Sequence, residues 1–442
     1  MKFGLFNMTA TAMLLLHLIL PQQGWSSYEY IDISNPFLRK IPIAIPEFVN
    51  LTGSPASSGA EAELTEILTQ AIEFTRYFEI IDNAAYLVDA QNPALSPDQI
   101  IFNNWTTIGA ELLVTGGIKT NGDLVDMELR LFDSVNAKQL IGKYYHGKVA
   151  DRRRIILRFS SEIIKHLTGS RGVFNSKIAF VSNGTGNKEI YLCDFDGKNV
   201  KRLTHHNTIS FFPAWSSNGQ WMAYTTYAKG KPDIYIRNLQ DNRIATIAKK
   251  GINLAPAWRP GKFELAATLS YSGDQEIYLL TGTGKIIKRI TKNWGTDVSP
   301  SWSPDGKKIV FISNRSGSPQ IYVKDIISGR AERLTFEGKY NTQPSWSPKG
   351  DKITYTSLNN GQSNISVIDI EEKQPVQLTH DAGSNEAPTW SPDGSLIAFS
   401  STREGPSRIY VMTAFGTDQR RLFSMDGEQS NPKWSPNFKD NQ

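Results

Sequence analysis

Three groups of residues have types and spacings that could do chemistry. His205 and His206 are candidate metal ligands, Asp194-Phe195-Asp196-Gly197 has the form of the start of a calcium loop, and Cys193 is a candidate nucleophile. None of the three holds up. Adjacent side chains in an extended segment point apart, which works against a shared zinc ion. No glutamate follows Asp194 at the spacing a calcium loop needs, so residues 194–197 read as a hairpin turn. Cys193 is the only cysteine and sits in the strand-like run Tyr191-Leu192-Cys193, where it reads as a small buried apolar residue. The chain has no Gly-x-Ser-x-Gly elbow, Walker loop or Gly-x-Gly-x-x-Gly turn. No catalytic residue, metal or cofactor is expected, and the chain does not read as an enzyme.

The residues suited to recognition lie in six short loops: 208–212, 251–255, 295–299, 339–343, 383–387 and 427–431. They vary in character and mix aromatic, amide and acidic side chains, which suits a protein partner. Each runs directly into a fixed motif. Pro-Ala-Trp-Ser at 213–216 returns as Pro-Ala-Trp-Arg at 256–259, then with Trp302, Trp346, Trp390 and Trp434 at steps of 43 or 44 residues. A fixed frame with variable loops is what a scaffold presenting a binding surface requires.

The period itself fits one four-stranded propeller blade. Within one repeat, Pro300–Ser303 is a short strand and Pro304-Asp305-Gly306 a turn. Lys308–Ser313 and Gln320–Lys324 are the second and third strands, and Glu332–Thr335 is the outer one. The tryptophans recur in every repeat, so they read as packing between blades rather than a stacking site. The first repeat begins at Lys177 with a second strand, and the last ends after Trp434 with only a first strand. Joining these ends makes a composite blade and gives six blades with no free edge. The loops that join an outer strand to the next inner strand must then share one face.

The region 27–170 does not repeat. A strand is expected at 41–46, and Ser58-Gly59-Ala60-Glu61 is a capping box. It opens a helix with Leu64, Ile67, Leu68, Ala71, Phe74 and Phe78 on one face. A second helix is expected over 96–108 and strands at 112–118, 124–132 and 140–145, with Asn121-Gly122 turning the first pair. A last helix with Ile155, Ile156, Phe159, Ile163 and Leu167 is closed by Gly169. The fold class is therefore a small N-terminal α/β domain followed by a six-bladed β-propeller, divided at 170/171 with a hinge at 169–172.

Residues 1–26 read as a secretory signal: Lys2, an apolar stretch from Ala10 to Leu20, Pro21, and the small residues Gly24 and Ser26 ahead of cleavage after Ser26. The net charge is +5, and the leader contributes one unit of it. So small an excess excludes nucleic acid as the expected partner.

An exported chain of this build, with Tyr30-Ile31-Asp32-Ile33 and Ile41-Pro42-Ile43-Ala44-Ile45-Pro46 near its mature start, resembles the TolB family of periplasmic propellers over essentially its whole mature length. The resemblance implies a non-enzymatic hub of the Tol-Pal system, working in outer-membrane integrity and in invagination at division. It implies that the lipoprotein Pal binds a propeller face. Ile252, Asn253, Thr296, Asp297, Asn341, Thr342, Asn385 and Glu386 are the expected contacts, with Ile252 where family members carry histidine. It also implies that TolA recruits the mature amino terminus, here Tyr28, Glu29, Tyr30, Ile31, Asp32, Ile33 and Ser34. Such a segment can add as a strand to a partner's sheet. Other outer-membrane proteins or lipoproteins are further possible partners. The competing expectation is a periplasmic propeller that takes a small ligand or carbohydrate in its channel.

Overall fold

Each repeat folds as a four-stranded antiparallel meander, and six of them close a ring. The structure, a computed structural model, describes residues 39–52, 59–87 and 94–438. In the third blade (297–333) the strands are Asp297–Trp302, Lys308–Ser313, Gln320–Asp325 and Ala331–Arg333, from the channel outwards. Gly306 turns the first pair at a φ of 66°, and Asp305 accepts a hydrogen bond from the Lys307 amide at 3.0 Å. Ile309, Val310 and Phe311 are consecutive and all buried. A neighbouring blade covers each face of the sheet, so the second strand carries an apolar run instead of alternating.

The tryptophans bind blade to blade. Each is buried, and the indole N–H of Trp302 donates to Ala257 O of the blade before it at 3.0 Å. Trp215 and Trp390 do the same toward Lys433 O (2.9 Å) and Ser345 O (3.2 Å). Ring closure follows the composite design: Gln429–Trp434 pairs antiparallel with Lys177–Ser182, giving a four-stranded sixth blade.

Every inner strand also carries a bulge. The ladder slips between Val298 and Ser301 in the third blade, and at the matching place in the other five. The residue before each motif proline has positive φ: Phe212, Ala255, Ser299, Gln343, Ala387 and Asn431, all between 48° and 55°. Proline has no N–H to give a ladder, and a bulge is where a sheet tolerates it. The bulges turn the six prolines toward the axis, where they line the waist of the channel, about 110 Å³ in volume.

The amino-terminal region builds one sheet. Ile41–Ala44 lies between Phe78–Ile80 and Leu112–Asn121, parallel to both, and the sheet continues antiparallel through Leu124–Asp133 to Lys138–Lys148. Helices Ala60–Phe74 and Arg152–Thr168 pack together against it. Gly169 caps the second of these at a φ of 77°.

The first helix starts from Gly59 at a φ of 70°, and Ser58 of the expected capping box lies outside the described residues. Two expectations are corrected. That helix ends at Phe74, so Phe78 opens a strand rather than extending the helical face. The stretch 96–108 holds a 3-10 turn at Pro97–Gln99 and a helix only over Phe102–Thr107, because Ile100 and Ile101 between them are not helical.

This region docks on one end of the ring. Arg153 pairs with Asp196 at 2.8 Å, Lys198 donates to Gln70 at 2.7 Å, and Arg420 donates to Phe74 O at 2.8 Å. Phe74 meets Phe195 edge-on at 5.1 Å. Residues 195–198 and 420 lie at third-to-fourth-strand turns. The loops joining one blade's outer strand to the next blade's inner strand therefore open at the opposite end.

Candidate partner-binding face

The eight expected contact residues divide by burial. Glu386 is exposed, and Ile252, Thr296 and Thr342 are half-buried around the mouth. Asn253, Asp297, Asn341 and Asn385 are fully buried and are withdrawn as partner contacts. Asn253, Asp297 and Asn385 start inner strands and Asn341 is second in its strand, each with its side chain turned into the blade junction. Asn253 donates to Asp233 at 3.1 Å, Asn341 to Gln320 at 2.9 Å and Asn385 to Asn364 at 3.5 Å. The acceptor lies at or near the start of the third strand of the preceding blade: Asp233 and Gln320 open theirs, and Asn364 is third in Gln362–Asp369. In two blades the same acceptor also receives the outer-strand hydroxyl, from Thr335 (2.7 Å) and Thr379 (3.0 Å). These side chains fasten the ring beneath the face. Their signal was in the sequence: a polar residue stands five places before every motif tryptophan, at 210, 253, 297, 341, 385 and 429.

The junction between the second and third blades carries two acids in place of an amide and its acceptor. The pair is Glu276 and Asp297, both fully buried. Arg289 donates to Glu276 at 2.8 Å and Arg315 to Asp297 at 2.7 Å, while Glu276 Oε2 has no hydrogen-bond partner among the described residues. Burial raises the Asp297 carboxyl above the usual range, outweighing the opposing hydrogen bonds of Ser313 and Arg315, and Glu276 adds to the rise.

Asp297→Asn would restore the pattern of Asn385, which donates to Asn364 and accepts from Arg403 at 3.0 Å. The variant should melt about 2–4 °C higher at neutral pH, for a gain of about 1 kcal/mol. The gain depends on pH. An acid whose folded pKa is raised loses stability as pH climbs from its unfolded value of about 3.9 through the folded one. The advantage of Asn should therefore be least near pH 4 and greatest near pH 7. Calorimetric melts at both values check this, and a lower melting point at both would show that the charge on Asp297 stabilises the junction.

The face carries residues that the sequence reading did not select. Trp294 and Phe336 are 73% and 69% exposed in the loops that follow the second and third blades, and Tyr271, in a loop of the second blade, is about half exposed. Arg333 stacks over Phe336 at 4.9 Å and is held by the Thr335 carbonyl at 2.6 Å. A signal existed here too: the residue after each outer-strand Thr is His205, Lys292 or His380 in other blades, and an apolar ring only at Phe336. At the mouth, a cavity of about 370 Å³ is bordered by Phe212, Lys188, Glu386, Glu428 and several serines.

The residues first weighed for chemistry are structural. The Cys193 thiol is buried, which pushes its pKa up, and it lies 3.7 Å from Ile178 O. His206 contacts the Tyr224 hydroxyl at 3.0 Å, and burial lowers its pKa, while His205 is exposed. No group of three His, Cys, Asp or Glu side chains able to hold a metal occurs among the described residues. The segment Tyr28–Ser34 lies outside the described residues.

Comparison with known proteins agrees with this architecture. Residues 29–140 match the TolB amino-terminal domain and residues 164–438 the TolB beta propeller domain. The chain is 53% identical over 282 residues to the Tol-Pal system protein TolB of Desulfosudis oleivorans, covering 64% of each. It is 42% identical over 271 residues to the protein TolB homolog of Chlorobaculum tepidum, covering 60% of each. The alignments thus span under two thirds of these curated relatives' lengths. The crystal structure of TolB from Acinetobacter baumannii superposes with a TM-score of 0.80 at 28% identity, over 90% of this chain and 97% of that one. With both of its regions matched and the six-bladed ring in common, the chain belongs to the TolB family.

Proposed function

We propose that the chain is the periplasmic, non-enzymatic hub of a Tol-Pal system, exported by a signal cleaved near Ser26. In this reading residues 27–170 and 171–442 are its two working parts. Pal docks on the loop face of the propeller and TolA recruits residues 28–34, which links the two envelope membranes and supports outer-membrane integrity and invagination at division. The observation that carries the reading is the set of exposed aromatics, Trp294 foremost, on the end of a closed ring facing away from the amino-terminal region. Large rigid rings on an exposed surface suit protein recognition.

Docking is tested by calorimetric titration of the purified mature chain with the soluble domain of Pal from the same organism. Saturable one-to-one binding is expected, and no binding by a folded sample overturns the reading. Coupling between the two partners is tested by removing residues 27–33. If the tip biases the face, Pal affinity changes, and equal affinity rules the coupling out.

The hydroxyl-lined cavity at the mouth favours a second reading, a small polar or carbohydrate ligand. Saturable binding of such a molecule in the absence of any protein partner would select it.

A further inference from the structure

The loop face is electrically divided, and the division follows the ring. Lys229, Lys250, Lys292 and Lys339 project from the loops of the first three blades, all exposed and none in an ion pair among the described residues. Asp274 and Glu337 are the exposed acids of that half. In the loops around the last two blades, from the one that enters the fifth, the exposed charges without an ion pair among the described residues are Asp381, Glu386, Asp426 and Glu428, with Lys188 as counter-charge. Arg403 on that half is tied down by Asn385 (3.0 Å) and Gln419 (2.8 Å). The exposed aromatics Trp294 and Phe336 lie on the lysine-rich half.

A six-bladed ring presents nearly the same frame six times over, and apolar contact does little to choose among rotations. Segregated charge breaks the degeneracy, because like charges brought together oppose the wrong settings. We propose that the face docks a folded protein polarised in the opposite sense. Its acidic sector, flanking an apolar groove, meets the lysine and aromatic half, and its basic sector meets Glu386 and Glu428. The charges set the partner's rotation on the ring and speed its capture. This rests on the reading of the face as the docking surface for Pal.

The test is stopped-flow association of the full mature chain with the soluble domain of Pal. The wild type is compared with Lys250→Glu/Lys292→Glu, with Glu386→Lys/Glu428→Lys and with the fourfold swap. All four side chains are exposed and outside any ion pair among the described residues, so the melting transition should be retained. Each double reversal is expected to slow association about tenfold at low salt, and the fourfold swap more. The differences should shrink near physiological ionic strength, where the screening length falls to about 8 Å. Unchanged association rates, with wild-type binding intact, overturn the charge division and leave the docking reading in place. Absence of wild-type binding overturns both.

Discussion

A chain ending before Gln429 is expected to lose the cooperative melting transition of the propeller. The residues removed are the only inner strand of the sixth blade, so Lys177–Ser182 becomes an open edge facing the channel. Trp434, 5% exposed, leaves with them, together with its indole hydrogen bond to Ser176 at 2.8 Å. The fifth blade also loses the cover over one face, since its inner strand Asn385–Trp390 packs against Gln429–Trp434. Removing one buried tryptophan alone costs about 3–5 kcal/mol. That is a large share of the roughly 5–15 kcal/mol by which a typical domain is stable, and the lost ladder adds to it. Thermal melts followed by circular dichroism, together with limited proteolysis, check the expectation. A fragment still melting cooperatively within a few degrees of the full chain would show that the ring holds without its closing strand. Trp434→Ala in the full chain separates the side chain's share from the strand's.

Most of the fold was legible because a repeat states its own rule several times. The tryptophan spacing, the Pro-Asp-Gly turns and the mismatched ends at 177 and 434 together specify ring closure. The amino-terminal region has no repeat to average over, and there the local signals misled. Phe78 keeps the helical phase of Phe74, but Arg76, with a φ of 65°, reverses the chain before it.

The site was half legible. Sequence places Asn253, Asp297, Asn341 and Asn385 in loops, since Gly, Asn and Asp cluster there. What decides their fate is that the inner strand begins earlier than the Pro-x-Trp motif suggests, at the far side of the bulge. The strand start turns these polar side chains inward and leaves their neighbours Ile252, Thr296 and Glu386 nearer the surface. The bulge is invisible as composition, because five different residue types hold its left-handed position in the six blades.

Those placements set up the second large effect: Trp294→Ala with Phe336→Ala should weaken Pal binding by about a hundredfold to a thousandfold and leave folding unchanged. Truncating a central aromatic anchor costs about 2 kcal/mol or more, and each 1.4 kcal/mol is tenfold in affinity. Both rings are already largely solvated in the free chain, so their removal should change stability by no more than about 0.5 kcal/mol. Phe336 is already held in the free chain, since Arg333 stacks on it and is itself bound to a backbone carbonyl. Less side-chain entropy is then lost on docking.

The control is Asn341→Ala. It removes a buried donor to Gln320 and should lower the melting point, with affinity following only as far as the fold is weakened. Calorimetric titration and a thermal melt on each variant separate the two classes. Affinity within twofold of wild type for the aromatic double variant would move the docking surface off the aromatic half, toward Glu386 and Glu428.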